Sequence, residues 1–157
     1  MEREEVCYTR ELALEKAIEM EQKSFDIYRK AYQLVKEHHA KDLLKELALE
    51  ELGHKYTLEQ AFFEETLALH DAGLNEGPSM KLSLLLQERT LAETATPQDT
   101  LIYAIHYEKH SVDFYGKMAS QCGAAPMEQM FKKLQQDETN HLARLEKLYE
   151  SMYMQDM

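Results

Sequence analysis

A chain of 157 residues with a net charge of −11 is long enough to bury one core without a disulfide or metal staple. Its acidic field opposes a nucleic-acid backbone or an anionic membrane as the main partner. Five Gly and three Pro in a composition led by helix formers leave too few turn residues for a many-stranded sheet, so the expectation is an all-α protein, one domain over residues 1–157.

The opening "MEREEVCYTR" is no apolar export segment, and no run reaches the roughly 20 apolar residues of a bilayer span. A cytoplasmic location away from membranes is expected. Cys7 and Cys122 are isolated thiols without a C-x-x-C partner, so they build neither a disulfide framework nor a thiolate metal knuckle and are expected to stay reduced. A first helix is predicted from Thr9, its N-cap, to Glu37, and a second from Ala40 to about His70, with "HHA" as the break. His38 and His39 then end the first helix, where the dipole favours a protonated imidazole.

The strongest turn signal, "DAGLNEGPSM", comes next, followed by the apolar run "MKLSLLLQERTLAE", predicted to pack across the bundle or to serve a subunit interface. A third helix opens at "TPQD", with Thr96 as N-cap and Pro97 in the first helical position. A fourth follows the "CGAA" break, from near Pro126 to about Glu150. The chain thus reads as an αα-hairpin over 9–70, a crossover over 71–95 long enough to span a bundle, a second hairpin over 96–150 and a short tail over 151–157.

Heptad spacing assigns the inward positions. They are Leu14, Ile18, Glu21, Phe25, Tyr28, Tyr32 and Val35 in the first helix, and Leu44, Leu47, Glu51, His54, Leu58 and Ala61 in the second. The third gives Leu101, Ile105, Glu108, Val112, Tyr115, Ala119 and Cys122, and the fourth Phe131, Leu134, Glu138, His141, Leu145 and Leu148. Every seam is apolar except near its middle. The halves also match without a gap: "AIEMEQKSFDIYRK" and "AIHYEKHSVDFYGK" agree at seven of fourteen positions, and the same offset of 87 carries Glu51 and His54 onto Glu138 and His141. This is an internal duplication.

A Glu-x-x-His pair alone is weak, since about one is expected by chance in so glutamate-rich a chain. Position decides instead. The midpoint of Glu21 and Glu51 is residue 36 and that of Glu108 and Glu138 is residue 123, each beside a predicted turn, so each carboxylate lies roughly 22 Å from its turn. All four glutamates then share one layer, with His54 and His141 one turn on. Four facing carboxylates in a core repel, and each ionised one costs several kcal/mol. Two divalent cations would neutralise them, and a Glu and His set without Cys suits iron, or manganese and other divalent metals, better than a thiolate-loving ion. The alternative is a metal-free core of protonated carboxyls and hydrogen bonds.

With Glu21 followed seven residues later by Tyr28, Glu51-x-x-His54, Glu108 followed by Tyr115, and Glu138-x-x-His141, the chain resembles the rubrerythrin-like branch of the ferritin-like superfamily over residues 10–150. The resemblance implies a ferritin-like four-helix bundle of two hairpins joined by a long crossover, holding two Fe ions. It implies Glu51 and Glu138 as bridging ligands, Glu21 and Glu108 as terminal ones, and a ring nitrogen from each of His54 and His141. The implied activity is a di-iron oxidoreductase acting on hydrogen peroxide or oxygen, as peroxidase or ferroxidase. Ferritin-type iron storage, or a helical interaction module with a structural di-metal site, are the alternatives.

Two departures stand out. Ser111 occupies the position where rubrerythrins carry an extra glutamate, and no rubredoxin segment is present, so an external electron-donor protein is expected, as is a homodimer. The symmetric set is closer to a bacterioferritin ferroxidase centre. Tyr28 and Tyr115, as site residues, would hydrogen-bond a ligand carboxylate or relay electrons, unless they are merely buried phenols with a partner. Glu50 and Asp137 either orient a histidine on the facing helix or belong to a solvated face. His106 and His110 flank Glu108 off the seam, as surface groups or as a path for iron or protons.

Overall fold

The computed structural model describes residues 9–64, 96–121 and 125–154. They form four helices: α1 (Arg10–Leu34), α2 (His38–Glu64), α3 (Pro97–Gln121) and α4 (Ala125–Tyr153). The expected end of the second helix, the crossover with its apolar run, Cys7 and Cys122 lie outside the described residues. No helix among the described residues is long and apolar enough to cross a membrane.

The caps explain the helix starts. Thr9 Oγ1 accepts from the Leu12 N–H at 3.3 Å. Thr96 and Asp99 form a reciprocal box, with Asp99 N–H donating to Thr96 Oγ1 at 3.1 Å and Thr96 N–H to Asp99 Oδ2 at 3.3 Å, which satisfies two amides that a helix start leaves free. The α1–α2 turn differs from expectation. α1 stops at Leu34, and the Glu37 carboxylate caps α2 by accepting from the His39 and Ala40 N–H groups at 3.0 and 2.7 Å. The break is therefore residues 35–37, and His38 and His39 open α2 instead of closing α1. They therefore do not lie at the C-terminal helix end expected of them. α4 runs three residues past Glu150, to Tyr153.

α1 lies along α2 and α3 along α4, and the hairpins meet mainly through α1 against α3. The interior has two separate apolar clusters. One contains Val35, Leu44, Leu47, Leu101, Ile105, Leu142 and Leu145; the other contains Leu14, Leu58, Ala61, Met130, Phe131 and Leu134. Each fully buried Leu or Phe contributes about 1.5–3 kcal/mol, so the two clusters carry the fold at either end. Between them lies the layer of Glu21, Glu51, Glu108 and Glu138, each no more than 2% exposed. One seam position is corrected: Tyr32 is 38% exposed, and Ala31, fully buried, takes its inward place. The heptad steps by three at that point, and Tyr32 instead lies under the Lys41 ammonium, 4.4 Å from the ring centroid.

Candidate metal centre

Each helix delivers its polar group to the same level. Oxygen and nitrogen atoms of Glu21, Glu51, His54 and Glu138 lie within 4.8 Å of one another, and so do those of Glu51, Glu108, Glu138 and His141. The two sets share Glu51 and Glu138. All six metal-site residues expected from the sequence are thus brought together, and His106 and His110 are not among them.

The two histidines use their rings alike. Nδ1 of His54 faces Glu138 Oε1 at 3.0 Å and Glu21 Oε2 at 3.5 Å, while its Nε2 faces Asp137 Oδ2 at 3.0 Å. Nδ1 of His141 is 2.5 Å from Glu51 Oε1 and 3.3 Å from Glu138 Oε2, while its Nε2 is 2.6 Å from Glu50 Oε2. Each imidazole therefore points one nitrogen into the layer and is held from outside by a carboxylate on the facing helix, the usual arrangement for a ligating histidine. The tyrosines cross between hairpins. Tyr115 OH donates to Glu21 Oε1 at 2.7 Å, and Tyr28 OH donates to Glu108 Oε1.

After these bonds, six buried atoms still have no hydrogen-bond partner among the described residues: Glu21 Oε2, both oxygens of Glu51, Glu108 Oε2, Glu138 Oε2 and His141 Nδ1. Buried polar atoms are almost always paired. Here, five carboxylate oxygens and an imidazole nitrogen of the two four-residue sets make no well-formed hydrogen bond, His141 Nδ1 and Glu51 Oε1 meeting only as a close charged contact. That donor set fits two hard or intermediate divalent cations and supplies no soft thiolate.

A family model described as "Rubrerythrin" matches residues 11–149. The chain belongs to the rubrerythrin family. A solved structure of a hypothetical protein from Pyrococcus furiosus shares the fold, with a TM-score of 0.70 and 21% identity over 96% of this chain and 94% of that one. No match was found among curated proteins. For a rubrerythrin-family chain the carboxylate and imidazole cluster indicates a di-metal site.

Without cations, protons take their place in this rubrerythrin layer. Burial first, and then the charge of Glu138, push the carboxyls of Glu21, Glu51 and Glu108 upward. Burial also opposes ionisation of Glu138, but hydrogen bonding to Glu108 and the charge of His141 outweigh it and hold Glu138 well below the usual range. Burial likewise disfavours a charged His54. The charge of Glu21 and the hydrogen bonds to Asp137 and Glu138 win, and the imidazole rises well above 6.5. His141 rises in the same way, through Glu138 and Glu51. Burial foremost, then the neighbouring carboxylates, raise Tyr28 and Tyr115 well above 10, so both phenols keep their protons and act as donors.

Two participants escaped the sequence reading. Lys133 Nζ holds Asp137 Oδ1 at 2.9 Å, and Arg144 reaches Glu50 Oε2 at 3.3 Å and Glu46 Oε2 at 3.0 Å. The Lys133 contact was visible as an i,i+4 pair on one helix. The Arg144 contacts cross from α4 to α2 and had no local signature. Ser111 is buried at 2% exposure, and its hydroxyl turns back to the Tyr107 carbonyl at 3.2 Å.

Proposed function

We propose that this rubrerythrin-family protein is a di-iron oxidoreductase that reduces hydrogen peroxide or oxygen, drawing electrons from an external donor protein. The observation that carries the reading is the overlap of two four-residue donor sets in Glu51 and Glu138. In that assignment Glu51 and Glu138 are shared, Glu21 and His54 complete one position, and Glu108 and His141 complete the other. Iron bound there supplies ferrous–ferric redox chemistry, which no side chain can provide.

The chain's own groups orient and protonate. Asp137 and Glu50 fix the His54 and His141 rings so that Nδ1 faces the layer. Tyr115 and Tyr28 hold the terminal carboxylates of Glu21 and Glu108 through O–H donation, leaving one oxygen of each free of a hydrogen-bond partner. Tyr28 belongs to one apolar cluster and Tyr115 to the other, so both are buried phenols that keep their protons. The Ser24 and Ser111 side chains, one turn past Glu21 and Glu108 and each 2% exposed, are small and neutral. Neither adds a carboxylate to the set.

Anaerobic loading with ferrous iron, followed by rapid mixing with peroxide or with oxygen, tests the reading. Two irons per chain, near-ultraviolet bands after oxidation and turnover with a reduced donor support it, and the faster oxidant names the substrate. Glu51→Ala should bind less than one iron per chain and lose the turnover. Wild-type protein that binds two irons yet consumes neither oxidant would refute it.

A further inference from the structure

Tyr103 and Tyr107 stand one turn apart on α3, the second next in sequence to Glu108. Their rings stack, with centroids 6.4 Å apart and planes 11° from parallel, and both residues are half-buried. From α1 the Lys23 ammonium reaches over the pair, 5.0 Å from the Tyr107 centroid and 5.9 Å from that of Tyr103, a cation–π contact that braces the rings across the α1–α3 seam. The Tyr107 phenol is raised by burial first, then by Tyr103 and by the charges of Glu21, Glu108 and Glu51, so it lies in the field of the layer. Packing does not demand the pair: shifted by 87, the same positions of α1 are Lys16 and Met20. The other phenols lack one feature or the other. Tyr28 and Tyr115 bond to Glu108 and Glu21, yet their ring neighbours are His141 for the first and Phe114 and Phe131 for the second. Tyr149 and Tyr153 do face each other, at 5.0 Å, but the Tyr153 phenol is raised by burial and by Tyr149, with no part played by the layer. Among the described residues, Tyr103 and Tyr107 alone join phenol–phenol contact to nearness to the ligands.

We propose, resting on the di-iron reading, that Tyr107 and Tyr103 are a built-in electron reserve, two phenols that complete the reduction of oxygen to water when no donor protein is bound. Oxygen takes up four electrons and four protons to become two waters. Two of the electrons come from a pair of ferrous ions as they become ferric. Tyr107 and Tyr103 each give one more, together with the proton of their O–H group, and the last two protons come from solvent. The two phenoxyl radicals left on the stacked rings then join. One carbon–carbon bond forms between ring carbons ortho to the oxygens, the two hydrogens on those carbons move to the oxygens, and the product is a dityrosine. Without the pair only two electrons are at hand, and oxygen stops at hydrogen peroxide. Peroxide as the oxidant needs only two, so the ferrous pair suffices and both phenols stay intact. A radical on Tyr28 or Tyr115, with no second phenol against its ring, has no such outlet.

The full chain, loaded anaerobically with two ferrous ions and mixed with excess oxygen in the absence of any donor, provides the test. Fluorescence of the oxidised protein should show about one dityrosine per chain, and little peroxide should be released. Peptide mass spectrometry should place the link between Tyr103 and Tyr107, with the loss of two hydrogens. Tyr103→Phe and Tyr107→Phe keep the ring stack, and either should abolish the dityrosine. The two together should raise peroxide release to about one per oxygen consumed. Tyr149→Phe with Tyr153→Phe should leave the yield unchanged, and one equivalent of peroxide in place of oxygen should leave both phenols unmodified. Oxygen uptake that spares Tyr103 and Tyr107 overturns the inference and leaves the di-iron reading standing. So does a dityrosine that maps elsewhere or forms equally with peroxide. A loaded protein that consumes no oxygen overturns it too, and its reaction with peroxide then decides the di-iron reading separately.

Discussion

The two halves of the metal centre have the same ligands and different surroundings. On one side His54 is 14% exposed and leans on Asp137, which Lys133 holds from the same helix. On the other, His141 is 3% exposed and leans on Glu50, which Arg144 ties together with Glu46 across two helices. Duplication preserved every group that faces the layer, whereas outside it the offset of 87 pairs Glu46 with Lys133 and Thr57 with Arg144. Both supporting cations therefore stand on α4. The ligand layer tolerates no substitution without stranding buried charge; the groups behind it are half in water, where a salt bridge contributes little and its partner can be exchanged.

The comparison breaks completely at the shared carboxylates. Glu138→Ala removes an oxygen donor from both halves, so metal analysis should show the loss of both ions, and the metal-dependent rise in melting temperature should vanish. Glu21→Ala and Glu108→Ala each touch one half. Each should leave about one ion per chain, which metal titration can count. Equal loss of both ions in all three variants would mean that neither half holds a cation alone.

The histidines sharpen the difference between halves. His141→Ala leaves a cavity in a fully enclosed place and strips Glu50 and Glu51 of a partner, at about 3–5 kcal/mol in the metal-free protein. His54→Ala, nearer the surface, admits water into its place and should cost about 1–3 kcal/mol. Denaturant unfolding of the two metal-free variants decides the order.

The layer was legible because helical spacing turns a linear register into a level. With 1.5 Å per residue, two midpoints beside turns suffice to put Glu21, Glu51, Glu108 and Glu138 opposite one another. Glu50 and Asp137 were also within reach of that register, though not their choice between histidine and solvent. The α1–α2 turn was misplaced because Glu37 is a good helix former as well as a cap, and only the cap geometry shows which role it takes. Tyr32 was read inward because a heptad written by hand steps by four where the helix steps by three.

Acidity divides the metal-free from the loaded protein. In the metal-free fold His54 and His141 have raised values, so their contribution is full below 6.5 and is lost as pH rises through the higher folded values. Glu21, Glu51 and Glu108 are raised too. Above 4.5 they stay protonated in the fold while the unfolded chain ionises, which also erodes stability as pH rises. Glu138, which is lowered, acts oppositely: its contribution holds above 4.5 and is lost as pH falls through its folded value. Melting of the metal-free protein should therefore move down between about pH 6 and pH 8. Metal binding displaces the same protons, so the loaded protein gains over that interval and the gap between the two melting curves should widen. Parallel curves would show that the layer holds no titrating protons.

The smallest effects lie in the outer groups, and they test whether the halves differ in anything beyond exposure. Lys133→Ala removes one half-buried cation from Asp137, whose carboxyl, despite burial, is held low first by hydrogen bonds to His54 and Lys133. Arg144→Ala removes a cation that touches two carboxylates, from a Glu50 held low against burial chiefly by His141. Both cations are partly solvated, so each change should cost about 0–1 kcal/mol in stability. Their effect on metal affinity should differ. Losing Lys133 frees Asp137 to hydrogen-bond water, while His54 is already near solvent, so binding in that half changes little. Losing Arg144 leaves Glu50 free to swing from the buried His141 ring, whose Nδ1 then loses its fixed aim. Weakening by about 10-fold or more is expected in the His141 half, within the range for lost support behind a ligating histidine. Competitive metal titration of the two variants measures the difference directly, and equal affinities would reduce the asymmetry of the centre to exposure alone.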